Sequence, residues 1–531
     1  MNMRKNLNEI KWTMCSALLF GLLTHAYILY NKISYHDDIF CLYTLGGTYG
    51  SGRWSLGILG ALMRRLFGGT YSAPGLNGIL SIFLIGIAAV IIVEMFSVKS
   101  IWWIVAISGI METIPVVTST FSYMFTAPYY MVALVFAVLG AFLITRNYKW
   151  YDWRSFGAIL SMAIAVGIYQ AYFAVTVSLV LSYLIWNFEE ITGKDAKENG
   201  TKKILLSGIR ALLFMVLGMV AYAVFNKVFL AITHYELSDY RGVNNMFSVT
   251  LSGLFTSAAG TYKAFASMFV TDYAGLTSVL PIRLALIVLW VLAIGYMIRG
   301  SIKRRDGVWC EILYWGMAAL LPLAFHIVNV MVSGGDTGIH TLMLYSLAQM
   351  FIFPIVIIAK YTGGCAVSFE KTKYMFGAAA LSIAMAYLII FSYAVVDNQA
   401  YMRVQLLQNE ATAFYNRLIA RIEGTEGYLQ SDSIYIAGAL EISDKNLTDV
   451  PQFPAVTMTG YTMTTDEFIN DYAWKEYVRW QLGFDPVYAA QVPDVSVISA
   501  MPCYPDADAI RIVDDVIVVK FSDGNLDNSQ E

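Results

Sequence analysis

Long apolar runs separated by short polar stretches dominate the chain. A run of roughly 18 or more apolar residues is long enough for a helix to cross a bilayer. Such runs lie near 12–30, 75–96, 101–119, 128–145, 156–171, 173–188, 204–231, 281–298, 308–332, 340–360 and 373–396, which predicts about eleven helices. The pair at 156–188 also reads as one long helix with a break. Segment 39–70 has a different pattern. Ile39, Leu42, Tyr43 and Leu45, then Leu56, Leu59, Leu62, Met63, Leu66 and Phe67, recur at helical spacing with Arg53, Arg64 and Arg65 between them. This predicts amphipathic helices, one over 39–49, lying at a membrane surface. Segment 232–280 is semi-apolar and predicts another interfacial helix.

Beyond residue 396 the pattern changes. Residues 401–423 read as a helix, 433–439 as a strand, 466–482 as an aromatic-rich helix, and 495–500 and 510–521 as strands. The expected division is a transmembrane domain over 1–396 and, over 397–531, a helix with a small α/β domain.

Composition agrees with the pattern. The chain is 58% hydrophobic and 14% charged, against about a quarter charged in soluble domains. Aromatics at 15% suit interfacial belts and ring-lined cavities. A net charge of −3, with no basic tract and no phosphate-cradling glycine loop, gives no sign of a nucleic-acid partner. The cysteines show no CxxC spacing. Lys and Arg cluster before the first run and after the fourth, sixth, eighth and tenth, while 120–127 and 333–339 carry none. By the positive-inside rule the N-terminus is expected to be cytoplasmic, and the Asp37-Asp38 segment, loop 232–280 and everything after about 396 to face outward.

Chemistry can then be sought near the outward ends of the runs. Asp37 and Asp38 follow the first run. One carboxylate there could serve as a general base, and either could equally cap a following helix. Arg53 could hold a phosphate bidentately or snorkel to headgroups. Arg241 is a second phosphate candidate, or part of an ordinary turn. Glu112 lies inside the third run, where a carboxylate is a functional candidate by default and a helix-pairing group otherwise. Tyr123, with the polar residues before it, and Tyr169 and Gln170, at the end of a run, suggest a cavity lining. His340 sits four residues after Asp336, a spacing open to metal ligation, although the reading requires no metal or other cofactor.

Together these features resemble the GT-C plan of membrane glycosyltransferases, and more closely the GtrII-type glucosyltransferases of bacterial surface polysaccharides. The residues that carry the resemblance are Asp37-Asp38, Gly52-Arg53-Trp54, Gly167-Ile168-Tyr169-Gln170, Met501-Pro502-Cys503-Tyr504-Pro505, Ile510–Val513 and Val516–Lys520. The resemblance implies inverting transfer of a hexose, in this family glucose, from a polyprenyl-phosphate donor to a polysaccharide acceptor at the outer face of the bacterial cytoplasmic membrane. Asp37 or Asp38 would be the base, and Arg53 and Arg241 would hold the donor phosphate. Glu112, Tyr123, Tyr169, Gln170 and His340 would line the cavity. The rival reading is a lipid-linked sugar flippase or transporter. Such proteins show matched internal repeats, and none is visible here.

Overall fold

Helix α1 (Leu7–Tyr30) shows how the apolar runs fold. Its buried positions are Thr13, Ser16, Ala17, Gly21, Thr24, His25, Ile28 and Leu29, mostly three or four apart. Leu18, Leu19, Leu22 and Leu23 stay exposed. Small and polar side chains face protein while leucines face outward. That is the arrangement of a helix in lipid, where close packing replaces the hydrophobic driving force between helices. The computed structural model describes residues 7–33, 37–146, 151–192, 200–238, 251–304, 307–332, 339–366, 373–429, 433–440 and 474–524.

After α1 come a short α2 (Asp37–Phe40), α3 (Trp54–Phe67) and α4 (Pro74–Met95). The expected helix over 39–49 is therefore confined to its first residues. Gly46 takes a left-handed φ of 61°, a conformation glycine adopts without steric cost, and the chain turns there instead of coiling on. The amphipathic pattern over 54–67 does fold as a helix, with Ile58, Leu62, Leu66 and Phe67 exposed and Arg64 and Arg65 in its last turn. Helix α4 packs on α1. Glycine permits the approach, since a β-carbon on Gly78 would lie 1.9 Å from Leu29 Cδ2.

Next, α5 (Ile101–Thr113) and α6 (Pro115–Phe121) make one span, broken where Ile114 is extended at φ −61°, ψ 133°. Pro115 is the cause: it lacks an N–H and pushes the residue before it out of the helical region. Helix α7 (Ala127–Thr145) precedes α8 (Trp153–Ile168) and α9 (Phe173–Trp186). The 156–188 stretch is thus two helices, parted at Tyr169 (φ −155°, ψ 121°) and joined by the 3-10 turn Gln170–Tyr172. The remaining helices of this region are α10 (Phe188–Thr192), α11 (Thr201–Thr233), α12 (Leu251–Ser267), α13 (Leu280–Arg304), α14 (Val308–Ala319), α15 (Leu321–Phe325), α16 (Val328–Met331), α17 (Ala348–Thr362) and α18 (Lys373–Glu423). Helix α12 is where the semi-apolar segment 232–280 predicted one. The expected span 373–396 and helix 401–423 are one continuous helix, because no Gly or Pro interrupts 397–423.

Among the described residues, nine helices are long and apolar enough to cross a membrane, and Trp153–Ile168 and Gln170–Trp186 are shorter apolar helices. The protein is a polytopic α-helical membrane protein.

The described chain forms two compact units. One draws on Met1–Lys32 and Tyr43–Asn398, the other on Ile33–Leu42, Gln399–Ala455 and Thr462–Glu531. In the first, an ion network of two buried cation side chains and two partly exposed carboxylates ties helices together. Glu189 on α10 lies 3.7 Å from Arg304 Nη1 and 3.5 Å from Lys360 Nζ, and Arg304 also reaches Glu311 at 3.3 Å. Lys360 further donates to the Trp186 carbonyl at 2.6 Å. Removing one charge from a buried pair leaves the other poorly compensated. Glu189→Gln should therefore destabilise the protein by roughly 3 kcal/mol, at the low end for buried pairs because Arg304 keeps Glu311. The readout is the thermal midpoint in detergent, and an unchanged midpoint would show the network to be energetically idle.

The second unit carries a four-stranded sheet in the order β2-β1-β4-β3. Its strands are β1 (Ser433–Ala437), β2 (Val487–Tyr488), β3 (Ile510–Val513) and β4 (Val516–Lys520). β1 is parallel to β2 and β4, while β3 and β4 form a hairpin. Asp514 and Asp515 both adopt positive φ at the hairpin turn, which matches strand twist in a two-residue loop. Helices α19 (Trp474–Leu482) and α20 (Val495–Ala500) complete it.

The sequence pattern predicted a strand over 495–500, and it is a helix. The caps decide this. Asp494 accepts hydrogen bonds from the Ser496 N–H and hydroxyl, which also hold its carboxyl below the usual range. At the other end the buried Lys520 ammonium donates to the Ser499 and Met501 carbonyls.

Candidate substrate site

The first unit gathers two motifs that lie more than a hundred residues apart. Gly52 closes a tight turn at φ 69°, with its N–H on the Tyr49 carbonyl, and delivers Arg53 as the residue that caps α3. The break between α8 and α9 supplies the clamp. Gln170 Nε2 donates to the Ser51 carbonyl at 2.9 Å and to the Tyr222 hydroxyl at 3.3 Å, and Tyr222 donates to the Gly52 carbonyl at 3.1 Å. Gly167 is the close-approach residue. A β-carbon there would sit 2.6 Å from the Trp54 ring and 2.8 Å from Ser55 Oγ, and the Trp54 ring is already stacked on Phe229 at 5.5 Å.

The side chain of Arg53 reaches a group of tyrosines. Its guanidinium lies 4.9 Å from the centroid of the Tyr169 ring, and its Nη1 donates to the Tyr130 hydroxyl at 3.4 Å. Tyr130 and Tyr169 stack face to face at 4.6 Å. Tyr172 stands edge-on to both, with ring centroids 6.5 and 6.2 Å away. It leads to Tyr345 at 6.5 Å, whose hydroxyl donates to the Met111 carbonyl at 2.6 Å. The next residue is Glu112, fully buried in the last turn of α5 just before the proline break. The Glu112 carbonyl is bonded by the His25 ring at 2.8 Å.

Several buried polar atoms here have no hydrogen-bond partner among the described residues: Trp54 Nε1, Ser55 Oγ, the Tyr172 hydroxyl and both carboxylate oxygens of Glu112. Buried polar groups in native proteins are nearly always satisfied, so each such atom needs an account. Helix α3 also starts here, and the first N–H groups of a helix have no partner within it. A guanidinium at a helix N-terminus beside a buried serine hydroxyl suits an anion such as a phosphate.

Of the sequence-predicted residues, the structure brings together Arg53, Tyr169 and Gln170, and links them to Glu112 through Tyr172 and Tyr345. Tyr123 is buried after α6, its carbonyl accepting from Thr126. His340 is buried at the start of the 3-10 turn Thr341–Met343. Asp37 and Asp38 are on α2 in the second unit, where Asp38 is 1% exposed and Asp37 half-buried. Arg241 and Asp336 lie outside the described residues. Among the described residues no cluster of three or more His, Cys, Asp or Glu side chains is arranged to hold a metal ion.

Sequence reasoning missed Tyr130, Tyr222 and Tyr345, which look like ordinary span tyrosines until the fold places them. It also missed Asp397, a fully buried carboxylate. Asp397 directly follows the apolar run 373–396, and a charge abutting a run was the available signal.

Fold and site define a polytopic membrane protein in which a half-buried arginine meets a group of buried tyrosines. The family described as Glucosyl transferase GtrII matches residues 26–358 of the 531, more than half of the chain. The chain belongs to this family. The matched residues include Asp37, Asp38, Arg53, Glu112 and Gln170, and they end before the tail motifs. No curated protein and no solved structure matches the chain.

Proposed function

We propose that this protein is an inverting glucosyltransferase of the GT-C plan that uses a polyprenyl-phosphate glucose donor and a surface polysaccharide acceptor. What carries the reading is Arg53 at the start of α3, held against the Tyr130–Tyr169 stack within a family of glucosyl transferases. The donor phosphate sits on the Arg53 guanidinium and the first N–H groups of α3, with Arg241 as a second contact. Gln170 and Tyr222 keep the Gly52–Arg53 turn in place. Glu112, Tyr123, Tyr169 and His340 belong to the cavity wall.

One carboxylate of the Asp37–Asp38 pair accepts the proton of an acceptor hydroxyl. The hydroxyl oxygen then bonds to the anomeric carbon from the face opposite the phosphate. The carbon–oxygen bond to phosphate breaks, and its electron pair leaves with the lipid phosphate. The leaving group is already a phosphate paired with arginine, so the step needs no metal. The N-terminus is cytoplasmic, and the C-terminal region and the reaction lie at the outer face of the bacterial cytoplasmic membrane.

The test compares surface polysaccharide by mass spectrometry from cells with and without the protein, alongside vesicles offered either polyprenyl-phosphate glucose or a nucleotide-activated glucose. Glucose on the polymer only with the protein present, and transfer only from the lipid-linked donor, is the expected result. Transfer straight from the nucleotide sugar, or polysaccharide unchanged by the protein, would overturn it.

A further inference from the structure

The segment that carries the aspartates does not group with the spans on either side of it in sequence. Ile33–Leu42 belongs to the same compact unit as the second half of α18 and the C-terminal sheet. Within that unit α2 packs against α19. Among its described residues Ile33, Asp38, Ile39 and Cys41 are at 5%, 1%, 2% and 4% exposure. A turn of four residues cannot hold its own shape, since helix nucleation fixes several dihedrals for a single hydrogen bond. Its geometry must come from what it packs on.

That support is itself anchored. Helix α19 has nine residues, too few for an independent helix in water. Tyr477 pins it: the ring is fully buried, and its hydroxyl meets the Thr412 hydroxyl at 2.5 Å and donates to the Gln408 carbonyl at 3.3 Å, both on α18. Trp474 adds a stack on Tyr415 of α18, at 6.1 Å with planes 5° apart. The charged groups of α19 are engaged elsewhere. Lys475 lies over Tyr488, and Arg479 pairs with Glu476 and Asp485. Helices α19 and α2 pack on each other within this unit.

We propose that α19, locked to α18 by Tyr477, is the element that positions the Asp37–Asp38 carboxylates, so that the C-terminal unit is part of the transfer machinery. This rests on the general-base reading above. Tyr477 is a positioning residue in this scheme. It touches no substrate, and it fixes where the carboxylates stand relative to the acceptor hydroxyl.

The experiment uses the full-length protein in vesicles with the lipid-linked donor. Tyr477→Phe keeps the ring and removes both hydroxyl contacts; Thr412→Val removes one partner from the other side. Each variant should lower kcat on the order of 10- to 100-fold, as small misplacements of a reacting group do, with KM for the donor unchanged. Cys41, three residues from Asp38, supplies a readout that needs no activity. Its modification by a maleimide, followed by mass spectrometry of its peptide, should be slow in the parent protein and faster in both variants. Unchanged kcat with unchanged Cys41 labelling would overturn the proposal, and so would a rise in donor KM matching the fall in kcat/KM. If Asp37→Asn and Asp38→Asn both transfer at the parent rate, the general-base reading itself has failed. If an aspartate variant is inactive while Tyr477→Phe is normal, only the positioning role is lost.

Discussion

Replacing the reacting carboxylate with its amide should reduce glucose transfer by about 10²–10⁴-fold, the usual contribution of a positioned general base. The two variants to compare are Asp37→Asn and Asp38→Asn. Asparagine keeps the size and shape of the side chain but cannot take a proton at neutral pH, so folding and membrane insertion should survive. The two positions are not equivalent: Asp38 is 1% exposed, while Asp37 is half-buried. The measurement is glucose transferred per amount of inserted protein, with the donor saturating. At least one variant must show the full loss. Two variants within a factor of two of the parent rate would remove the aspartates from the mechanism.

The second large effect is expected at Arg53. Arg53→Met removes the only formal charge contributed by the Gly52-Arg53-Trp54 motif and should lower kcat/KM for the lipid-linked donor by about 10²–10³-fold, the scale seen when a group stabilising transition-state charge is deleted. Arg53→Lys should recover only part of this. The ammonium keeps the charge, but it lacks the planar fork that lies over Tyr169 and reaches the Tyr130 hydroxyl. The loss should be shared between KM and kcat, because the phosphate is bound in the ground state and gains charge as it leaves. Equal activity of the Met variant and the parent protein would place the phosphate elsewhere.

Much of this architecture is legible in the chain. The apolar runs mark the spans because no other feature of a sequence produces such lengths, and α3 and α12 follow from apolar residues at helical spacing. Where short segments were misread, local pattern competed with stronger local chemistry. The alternation in Val495–Ala500 resembles a strand, yet Asp494 and Lys520 satisfy the two ends of a helix. The spacing over 39–49 resembles a helix, yet the chain passes through Gly46 in a left-handed conformation. Runs of this length do not hold enough periods to settle such contests.

The site divides in the same way. Residue type and position mark Glu112 and the Arg53 motif in sequence, because charge near or within a span is costly without a purpose. Chemistry alone does not reveal that Gln170 would bond to the Ser51 carbonyl 119 residues away, or that Tyr222 would reach Gly52. Those contacts depend on how α3, α8 and α11 pack, and that depends on side-chain shape summed over many neighbours.

By itself the sequence determined that the chain threads a membrane many times, where its spans lie, and which family it belongs to. It did so because hydropathy and motif order are properties of single residues and short runs. Tertiary structure alone decided that Arg53 would meet the Tyr130–Tyr169 stack and that Asp37 and Asp38 would fold with the C-terminal unit. Both are long-range pairings, set by packing between segments that are remote in the chain, and no local run of residues encodes them.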